Sequence, residues 1–518
     1  SSCCRSPIPN TQPRDSSHVR CTAMVDMQRA VLELEAWVRE RGGAICPDVA
    51  VRSGVGFEAA VRGAFASESG LELGTDIYRL PLRALITEAL AEEQLPFGEA
   101  MRGAAEQFQP QSAGLILLAS FLLWDGALDA ARGTCDGRRH AESAFRPYYA
   151  ALNADLSHLP SSWPAGDPVH SCLKGTRLER LVKAKRHALG LEFALLQSCA
   201  PELDATLDHY LWARGTVSSR AYALTVGGRP QRCLVPWADL LNHGTDRDSL
   251  ATYSFVQEGP GGACFLMRSG GCGVAPQLEV LQTYGAGKSN ATLLLDYGFA
   301  LAPGAQVGEA MATVSVRGPE VATLQPTDGQ PIAAVREEVE AKSSLWRAAR
   351  RQPKGSVSLD VTRSSSGALL PLLRVVTASV EDLALLARRN VTRADDVTEP
   401  ITEASERRAL RELQAVLTTA LVRIPVQEPD VARADGLKER EWEPEVRRAC
   451  AIVSEEERSV LGFYMDLAGH ALDVLDGAHG SVARDAWLAA LPPEPRTHAT
   501  GYLEGLTREV ASCDAEQK

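Results

Sequence analysis

The segment LQTYGAGKSNATLLLDYGFAL, residues 281–301, combines polar and aromatic side chains in a pattern that could hold a ligand. Its AGKS portion resembles the end of a phosphate-binding loop, which needs a glycine five residues before the Gly-Lys pair to turn around phosphate. That position is Gln282, and the LEV residues before it predict a strand. A nucleotide loop is therefore excluded. What remains is a strand ending in Tyr284, a glycine turn and an apolar run ending in Tyr297.

A second polar cluster lies in PWADLLNHGTD, residues 236–246, where Asp239, Asn242 and His243 follow an apolar strand. Asparagine and histidine before glycine are common in turns, because both tolerate unusual backbone angles and bond their own backbone. One aspartate and one histidine are too few ligands for a metal site, so we expect no metal. Taken alone, the stretch predicts an ordinary turn.

The composition predicts a large folded core and no net basic field, although a local basic groove stays possible. The 518 residues carry a formal charge of −12, and 45% of them are hydrophobic. A net acidic chain offers phosphate no attractive field, so we expect no nucleic-acid partner. The longest apolar run, residues 112–124, is too short to span a bilayer and predicts a buried helix, so we expect no membrane partner.

The cysteines and the first residues indicate the compartment. Twelve cysteines are scattered along the chain without a CxxC pair, which argues against structural zinc and against a disulfide framework. The first 24 residues are rich in serine, arginine and proline and hold one acidic residue, Asp15. That composition is typical of an organelle transit peptide, with an ordinary disordered terminus as the alternative. We expect residues 1–26 to be a disordered, transit-peptide-like tail.

The elements that must position these side chains alternate between strands and helices. Helical spacing predicts a helix from about Met27 to Arg41, and short strands follow up to about Ile86. Residues from there to about 211 are predicted to be helical, and strands resume from CLVPWADLL to LEVLQTY. The predicted fold class is α+β, with β-sheets interrupted by a helical insertion at about 88–211 and followed by an all-helical C-terminal domain.

The C-terminal region shows the clearest helical pattern. One apolar stripe at three- and four-residue steps comprises Leu410, Leu413, Leu417, Ala420 and Ile424. Thr402 or Ser405 is suited to cap that helix, and EPEVRRACAIVSEEERSVLGFYMDLAGHALDVL predicts a second one. We therefore expect a helical domain from about residue 325.

Four motifs in order carry a family resemblance: WARGTVSSRAY, WADLLNHG, QTYGAGKSN and LLLDYGF. Together with RPYYAAL, LPSSW and LLPLLRVV they resemble SET-domain protein methyltransferases of the plastid Rubisco large-subunit lysine methyltransferase subgroup. In that subgroup a helical insertion splits the SET domain and a helical substrate-binding domain follows it. The resemblance implies a SET domain at 27–324 and a substrate-binding domain at 325–518.

The resemblance implies S-adenosyl-L-methionine as the cofactor. The RGAFA stretch resembles the first cofactor motif, which places backbone contacts with the cofactor at Ala60, Val61 and Arg62. Two further matches concern the same cofactor. Asn242 and His243 match the asparagine–histidine pair whose backbone holds the adenine.

The remaining matches concern the tyrosines and the substrate. Tyr297 matches the tyrosine beside the cofactor, and Tyr284 matches the active-site tyrosine. Arg220 matches the arginine of the SRAF-like helix, near both the cofactor's carboxylate and the substrate. Asp239 and Tyr253 match positions that line the lysine channel, so the implied substrate-binding residues are Arg220, Asp239, Tyr253 and Tyr284.

The sequence departs from the family pattern in several places. SGVGFEAAVRG holds extra residues in the glycine-rich entry to the first cofactor motif, and Gln277 stands where the family has a glycine. Leu224 replaces a second substrate-facing arginine four residues after Arg220. The zinc-binding cysteine tail of histone-type SET enzymes is absent, as in this subgroup.

The residue types suit methyl transfer to an amine. The attacking nitrogen must be neutral, although a free lysine has a pKa near ~10.4. An apolar channel beside a positive sulfonium lowers that pKa through desolvation and like charge. A tyrosine suits such a channel, because its ring forms a wall and its hydroxyl orients the amine.

The resulting hypothesis is an S-adenosylmethionine-dependent protein-lysine N-methyltransferase of the chloroplast stroma, or otherwise of the cytoplasm. Its substrate would be an abundant stromal protein, either the Rubisco large subunit or fructose-bisphosphate aldolase, and we expect a monomer. Two alternatives stay open: a protein-histidine methyltransferase of the same fold, and a catalytically silent SET-like binding protein.

Overall fold

The computed structural model describes two compact units. The described residues are 16–53, 62–134, 143–245, 251–257, 262–271, 273–303, 305, 307–322, 332–349, 351–352, 354–426, 440, 442–477 and 481–516. One unit consists of Ser1–Ser162 and Lys185–Ala286, and the other of Trp163–Ala184 and Gly287–Lys518. The domain boundaries drawn from the sequence stay predictions.

The first unit holds three small antiparallel sheets. Its strands are β1 Ala44–Ile45, β2 Val49–Ser53, β3 Arg62–Ala66, β4 Asp76–Pro81, β5 Ile86–Thr87, β6 Tyr222–Val226, β7 Arg229–Leu234, β8 Ala251–Val256 and β9 Cys264–Ser269. The sheet orders are β1-β4-β9-β8, β5-β7-β6 and β2-β3. Strands from both sides of the helical insertion share two of these sheets, so the insertion interrupts one β structure as predicted.

Helices follow the predicted order in this unit. Those lying wholly or partly in it are α1 Ser16–Glu40, α2 Glu88–Gln94, α3 Gly98–Phe108, α4 Ala113–Trp124, α5 Ala127–Ala131, α6 Arg146–Ala150, α7 Arg177–Cys199 and α8 Leu207–Arg220. α4 is apolar around its whole circumference and is buried from Ile116 to Leu122, as its sequence predicts. The N-terminal prediction needs a correction, because α1 begins at Ser16 rather than near Met27. No glycine or proline interrupts the chain there, so the helix extends into the predicted tail.

An extended segment at 278–282 connects two parts of the first unit. Val280 N–H donates to Ala64 O of β3 at 2.7 Å, and Gln282 N–H donates to Asn242 O at 2.9 Å. Gly244 N–H returns a bond to Gln282 O at 2.9 Å. The sequence predicts a strand here, whereas the structure has isolated bridges, because the segment changes partner after every one or two residues. These backbone hydrogen bonds place the residues around Tyr284 beside the turn that contains Asn242.

The second unit is mainly helical. Its remaining elements are α9 Asn290–Tyr297, β10 Ala312–Arg317, α10 Pro319–Ala322, α11 Ile332–Ala348, β11 Ser356–Val361, α12 Leu369–Thr377, α13 Val380–Arg388, α14 Glu403–Arg423, α15 Glu443–Leu475, α16 Val482–Ala490 and α17 Pro493–Glu516. β11 lies where only helices were predicted. It pairs with β10 because Val357, Leu359 and Val361 alternate with polar residues at the period of a strand.

The predicted helix caps and helix faces are present in this unit. The Thr402 side chain accepts from Ser405 N–H while Ser405 Oγ accepts from Thr402 N–H, a capping box at the start of α14. Leu410, Leu413 and Leu417 are buried on the predicted stripe. Of the helices in the described ranges, none combines the length and apolar character that a bilayer crossing requires.

Candidate active site

Asp239 lies in a strained turn just after β7. It belongs to the short 3-10 turn Ala238–Leu240, and the preceding Trp237 has φ 71°, a left-handed conformation that costs a bulky residue about 1–3 kcal/mol. Packing holds the strain, because the Trp237 ring is fully buried and stacks on Tyr78 with ring centres 4.9 Å apart. The Tyr78 hydroxyl in turn donates to the Pro236 carbonyl.

The Asp239 carboxylate is held from two helices. Tyr148 of α6 donates its hydroxyl to Oδ2 at 2.8 Å. Arg220, the last residue of α8, donates Nη1 to Oδ2 at 3.3 Å and to the Asp239 carbonyl at 3.1 Å. Oδ1 is buried and has no hydrogen-bond partner among the described residues. One oxygen of this buried carboxylate thus bonds to the protein, and the other is buried without a bond to a described residue.

Asn242 ties the turn to β3. Its Nδ2 donates to Arg62 O at 2.8 Å and to Glu279 Oε1 at 2.7 Å, so one amide fixes two neighbouring segments. Burial raises the pKa of Glu279, and the bond from Asn242 acts in the opposite direction. A Cβ on Gly63 would lie 2.0 Å from a carboxylate oxygen of Glu279, so a larger residue there would displace the carboxylate that Asn242 bonds.

His243 and Tyr284 contact each other directly. The backbone N–H of Tyr284 donates to His243 Nδ1 at 3.1 Å, and the two rings stack with centres 5.1 Å apart. The Tyr284 hydroxyl donates to Leu241 O at 3.1 Å. Since Nδ1 accepts, the imidazole carries its proton on Nε2. Both ends of the tyrosine are therefore fixed to the 241–243 turn.

Tyr222 and Gln282 complete one wall of the site. Tyr222 OH lies 2.9 Å from both Ala238 O and Gln282 Oε1, and Gln282 Nε2 donates to Ala238 O and Leu241 O at 3.3 and 3.2 Å. The Tyr253 ring meets Tyr222 edge-on at 4.9 Å and is 39% exposed. The buried amide anchors the turn, and Tyr253 is left at the surface of the aromatic wall.

Two guanidiniums interact electrostatically with the Asp239 carboxylate, and only that of Arg220 bonds to it. Arg62 Nη1 donates to Ala151 O at 2.5 Å. Burial, followed by repulsion from Arg220, lowers the pKa of Arg62 to about 10, while Asp239 acts to raise it. Burial likewise acts to lower the pKa of Arg220, but the Asp239 carboxylate outweighs it and the pKa is raised. Both arginines stay charged at neutral pH, so the cluster carries excess positive charge.

The tyrosines around Asp239 are donors and not bases. Burial, and then the negative charge of Asp239, raises the pKa of Tyr78, Tyr148 and Tyr222 well above the ordinary value. Burial also raises the pKa of Tyr253. These four hydroxyls stay protonated near neutral pH, so they can orient and bind groups but do not act as tyrosinate bases.

The structure brings most of the predicted site residues into one region of the first unit. Those that it connects there are Arg62, Arg220, Asp239, Asn242, His243, Tyr253 and Tyr284. Ala60 and Val61 lie outside the described residues. Tyr297 ends α9 in the second unit, where the Lys288 ammonium lies 5.6 Å from its ring centre. The roles assigned to all of these residues stay predictions.

Sequence reasoning missed four residues that hold the site together. They are Tyr148, Tyr222, Gln282 and Glu279. In the sequence Gln282 only excludes a phosphate loop, whereas in the structure it is buried with both ends of its amide bonded. Tyr148 lies in RPYYAAL, a motif recognised for its place in the insertion and not for any contact. An unusual density of buried tyrosines near one aspartate is not visible in the sequence.

The departures from the family pattern have local explanations. Gln277 has φ 62°, the left-handed conformation that favours glycine, and Arg52 Nη1 donates to its Oε1 at 2.6 Å. Leu224 is buried in β6, so it replaces an arginine with an apolar contact. Within the described residues, no group of three or more histidine, cysteine, aspartate or glutamate side chains is arranged to hold a metal ion.

Comparisons of the sequence with known proteins find one family model and one curated relative. A family model described as Rubisco LSMT substrate-binding matches residues 335–461. The chain is 32% identical over 139 residues to the chloroplastic fructose-bisphosphate aldolase-lysine N-methyltransferase of Arabidopsis thaliana. That match covers 24% of this chain and 28% of the relative, so it spans less than a third of the relative's length.

Solved structures share the fold of most of the chain. The SET domain of LSMT bound to methyllysine and AdoHcy matches with a TM-score of 0.60 at 18% identity, covering 86% of this chain and 93% of that one. Rubisco LSMT bound to AdoMet matches with a TM-score of 0.58 at 18% identity and the same coverage. The fold is therefore that of a SET-domain protein, and the predicted α+β class is confirmed. Within that class the chain resembles the Rubisco LSMT subgroup, as its motifs predicted.

Proposed function

We propose that this protein is an S-adenosylmethionine-dependent protein-lysine N-methyltransferase. The observation that carries the proposal is the fixed position of Tyr284, clamped at its backbone by His243 and at its hydroxyl by Leu241. Asp239 and Arg220 form a buried polar cluster in the same region of the first unit. An aromatic ring, an oriented hydroxyl and a buried carboxylate are what a channel for a lysine side chain requires.

The described residues fit the cofactor. Its carboxylate needs a cationic donor, and Arg220 uses only Nη1 in its described bonds, which leaves donors on Nε and Nη2. Asn242 is locked through its side chain, so the backbone of the 242–243 pair has a fixed orientation towards the adenine. Arg62, Ala60 and Val61 are the further proposed contacts, with Tyr297 beside the cofactor. When bound, S-adenosylmethionine supplies a methyl group on a sulfonium, which passes to the nitrogen by in-line displacement.

The protein's contribution to the reaction is position and charge. The positive excess of Arg62 and Arg220 over Asp239 favours the neutral form of an amine brought beside them, so no strong base is needed. Tyr284 then orients the neutral amine through its hydroxyl and walls the channel with its ring. Alignment of this kind accounts for roughly 7–11 kcal/mol of a barrier in well-oriented reactions.

The proposed substrate is an abundant stromal protein, the Rubisco large subunit or fructose-bisphosphate aldolase. The chloroplastic aldolase-lysine methyltransferase among the relatives supports both the substrate class and a location in the plastid. The protein is proposed to act as a monomer. A channel that admits only a side chain cannot distinguish one lysine from another, so the choice of target must come from a surface outside it. The helical region from 325 to 518, which includes the substrate-binding family match, is proposed to supply that surface.

Cofactor binding tests the proposal. We expect calorimetry to detect one S-adenosylhomocysteine site per chain in the wild-type protein. Asn242→Ala frees the Arg62 carbonyl and leaves Glu279 half-buried without its donor, so it should weaken that binding about tenfold or more, the equivalent of ~1.4 kcal/mol. Glu279→Gln keeps an oxygen at the junction and should bind within about threefold of wild type. A folded wild-type protein that shows neither heat nor a thermal shift with the ligand contradicts the proposal.

A further inference from the structure

Two consecutive tyrosines of α6 make the same bond to two different carboxylates. Tyr148 OH donates to Asp239 Oδ2 at 2.8 Å, and Tyr149 OH donates to Asp125 Oδ2 at 2.7 Å. Both tyrosines are fully buried, at 1% and 0% exposure. Asp239 belongs to the candidate active site, whereas Asp125 follows α4 and also accepts from Ser143 Oγ at 2.7 Å. The insertion therefore bonds to a buried aspartate within the site and to a partly buried aspartate outside it.

The two oxygens of Asp239 differ in their surroundings. Oδ2 receives Tyr148 at 2.8 Å and Arg220 at 3.3 Å, while Oδ1 is buried with no partner among the described residues. The Asp239 side chain is only 2% exposed. A buried carboxylate oxygen without a donor is costly, and such atoms in native structures commonly mark a position where another group binds.

We propose that Tyr148 is a positioning residue, which orients Asp239 so that Oδ1 accepts an N–H of the substrate's ε-amino group. The inference rests on the proposed function and deepens it. It gives the helical insertion a part in substrate recognition, through a hydroxyl that does not itself touch the substrate. The ligand is defined by its chemistry as a primary amine with N–H donors at the end of an alkyl chain.

The geometry explains why Arg220 alone does not fix the orientation of the Asp239 carboxylate. Its Nη1 divides between the Asp239 carbonyl at 3.1 Å and Oδ2 at 3.3 Å, so its hold on the carboxylate is long and shared. A guanidinium also tends to take both oxygens of a carboxylate in a bidentate pair. The short bond from Tyr148 fixes Oδ2 and keeps Oδ1 out of such a pair. Without it, we expect the carboxylate to rotate towards Arg220 and Oδ1 to be lost to the substrate.

Tyr149 provides a matched control. Tyr148→Phe and Tyr149→Phe remove the same hydroxyl from neighbouring buried positions of the same helix, and each leaves an aspartate with one donor fewer. A purely structural role predicts similar effects of the two changes. A positioning role predicts that only Tyr148→Phe alters recognition of an amine.

The experiment is a calorimetric titration of free L-lysine into protein saturated with S-adenosylhomocysteine. We expect Tyr148→Phe to bind lysine at least tenfold more weakly than wild type and Tyr149→Phe to bind it within twofold, with similar cofactor affinity for all three. Equal lysine affinities of the two variants overturn the inference and leave the proposed function standing. A wild-type protein that binds neither S-adenosylhomocysteine nor lysine overturns the proposed function, and the inference with it.

A second variant serves where Tyr148→Phe does not fold. Asp239→Asn keeps the shape of the side chain and a carbonyl oxygen for Tyr148 and Arg220, but it places an NH2 donor where Oδ1 would accept the N–H of the amine. We expect it to bind lysine at least tenfold more weakly while cofactor affinity stays within threefold. Wild-type lysine affinity in this variant overturns the inference as directly as equal affinities of the two tyrosine variants.

Discussion

The backbone N–H of Tyr284 donates to Nδ1 of His243 at 3.1 Å, and the two rings stack with centres 5.1 Å apart. These residues lie 41 positions apart in the chain. The extended segment at 278–282 brings them together by bonding to β3 on one side and to the Asn242 turn on the other. The residue predicted to hold the adenine and the residue predicted to orient the substrate are thus parts of one rigid contact.

Tyr284→Phe should separate binding from turnover. The change keeps the ring and removes the hydroxyl that donates to Leu241 O at 3.1 Å, so the wall remains while the orienting group is lost. We expect kcat to fall roughly 100-fold, the size of effect that a small loss of alignment produces, with S-adenosylhomocysteine affinity nearly unchanged. Steady-state kinetics and calorimetry on the same preparation measure both quantities.

Tyr464→Phe is the matched control for this change. Tyr464 also donates its hydroxyl to a backbone carbonyl, Thr362 O at 2.6 Å, but it lies in α15 of the second unit. It should lose about 1 kcal/mol of stability, the net worth of one hydrogen bond, and keep its turnover. A Tyr284→Phe protein that turns over within a few-fold of wild type makes Tyr284 a wall residue only.

Substitutions of Gln277 should separate the effect of its backbone angle on stability from that of its side-chain hydrogen bond. Gln277 adopts φ 62°, which a β-branched residue tolerates poorly and glycine adopts freely. We expect Gln277→Val to lower the free energy of unfolding by about 1–2 kcal/mol. Gln277→Gly should stay within about 1 kcal/mol of wild type, because relief of strain offsets the lost bond from Arg52. Chemical denaturation measures both, and equal losses in the two variants contradict the role of the backbone angle.

Glu457 should make stability depend on pH. Its carboxylate accepts the N–H groups of Arg177 and Leu178 at the start of α7, at 2.6 and 3.2 Å, yet burial raises its pKa to about 7. A carboxyl with a raised folded pKa contributes stability below its ordinary value near ~4.3, and that contribution is lost as the pH rises towards 7. The advantage of wild type over Glu457→Gln should therefore fall between about pH 4.5 and about pH 7, by about 3 kcal/mol in total.

Glu443 lies at the start of α15, the helix that also contains Glu457, and it provides a control whose pH dependence has the opposite sign. Burial acts to raise the pKa of Glu443, but bonds from Arg447 and Arg440 outweigh it and the pKa is lowered. Its contribution should be present above the ordinary pKa and be lost as the pH falls. Unfolding free energies of wild type, Glu457→Gln and Glu443→Gln from about pH 3 to about pH 8 test both signs. Parallel curves for wild type and Glu457→Gln would show that folding does not raise the pKa of Glu457.

The proposed docking role of the helical region is tested on the surface of α14. Arg411 is exposed, whereas Arg407 bonds to Glu403 and Asp476 and is unsuited to the test. Arg411→Glu should raise KM for the protein substrate about fivefold, the equivalent of ~1 kcal/mol, and leave free-lysine affinity unchanged. Arg29→Glu makes the same charge change on α1 and should change neither KM for the protein substrate nor the affinity for free lysine. If both variants methylate the protein substrate as wild type does, docking depends on another surface.

Local patterns in the sequence predicted the elements well. The Thr402 cap, the buried stripe of α14 and the apolar helix α4 each follow from neighbouring residues, which is why spacing alone identifies them. β11 was missed because its alternation is short and lies among long helical patterns. The family resemblance assigned Asn242, His243 and Tyr284 to one site, although no pattern of neighbouring residues connects them.

The support of the site could not be predicted in this way. Tyr148 and Asp239 are 91 positions apart, and their bond depends on how the insertion packs against the β7 turn. The left-handed Trp237 is equally hidden, since nothing in PWADLL indicates that a buried tryptophan will hold that angle. Such features follow from tertiary packing, which overrides local preference at strained positions.

The most direct test of the central proposal is the site of methyl transfer. Wild-type protein and Tyr284→Phe are incubated with methyl-labelled S-adenosylmethionine and a stromal extract, and mass spectrometry locates the labelled atom. We predict label on the ε-nitrogen of a lysine in one abundant stromal protein, strongly reduced with Tyr284→Phe. Label on a histidine, or no transfer by a wild-type protein that binds the cofactor, would contradict the assignment as a lysine methyltransferase.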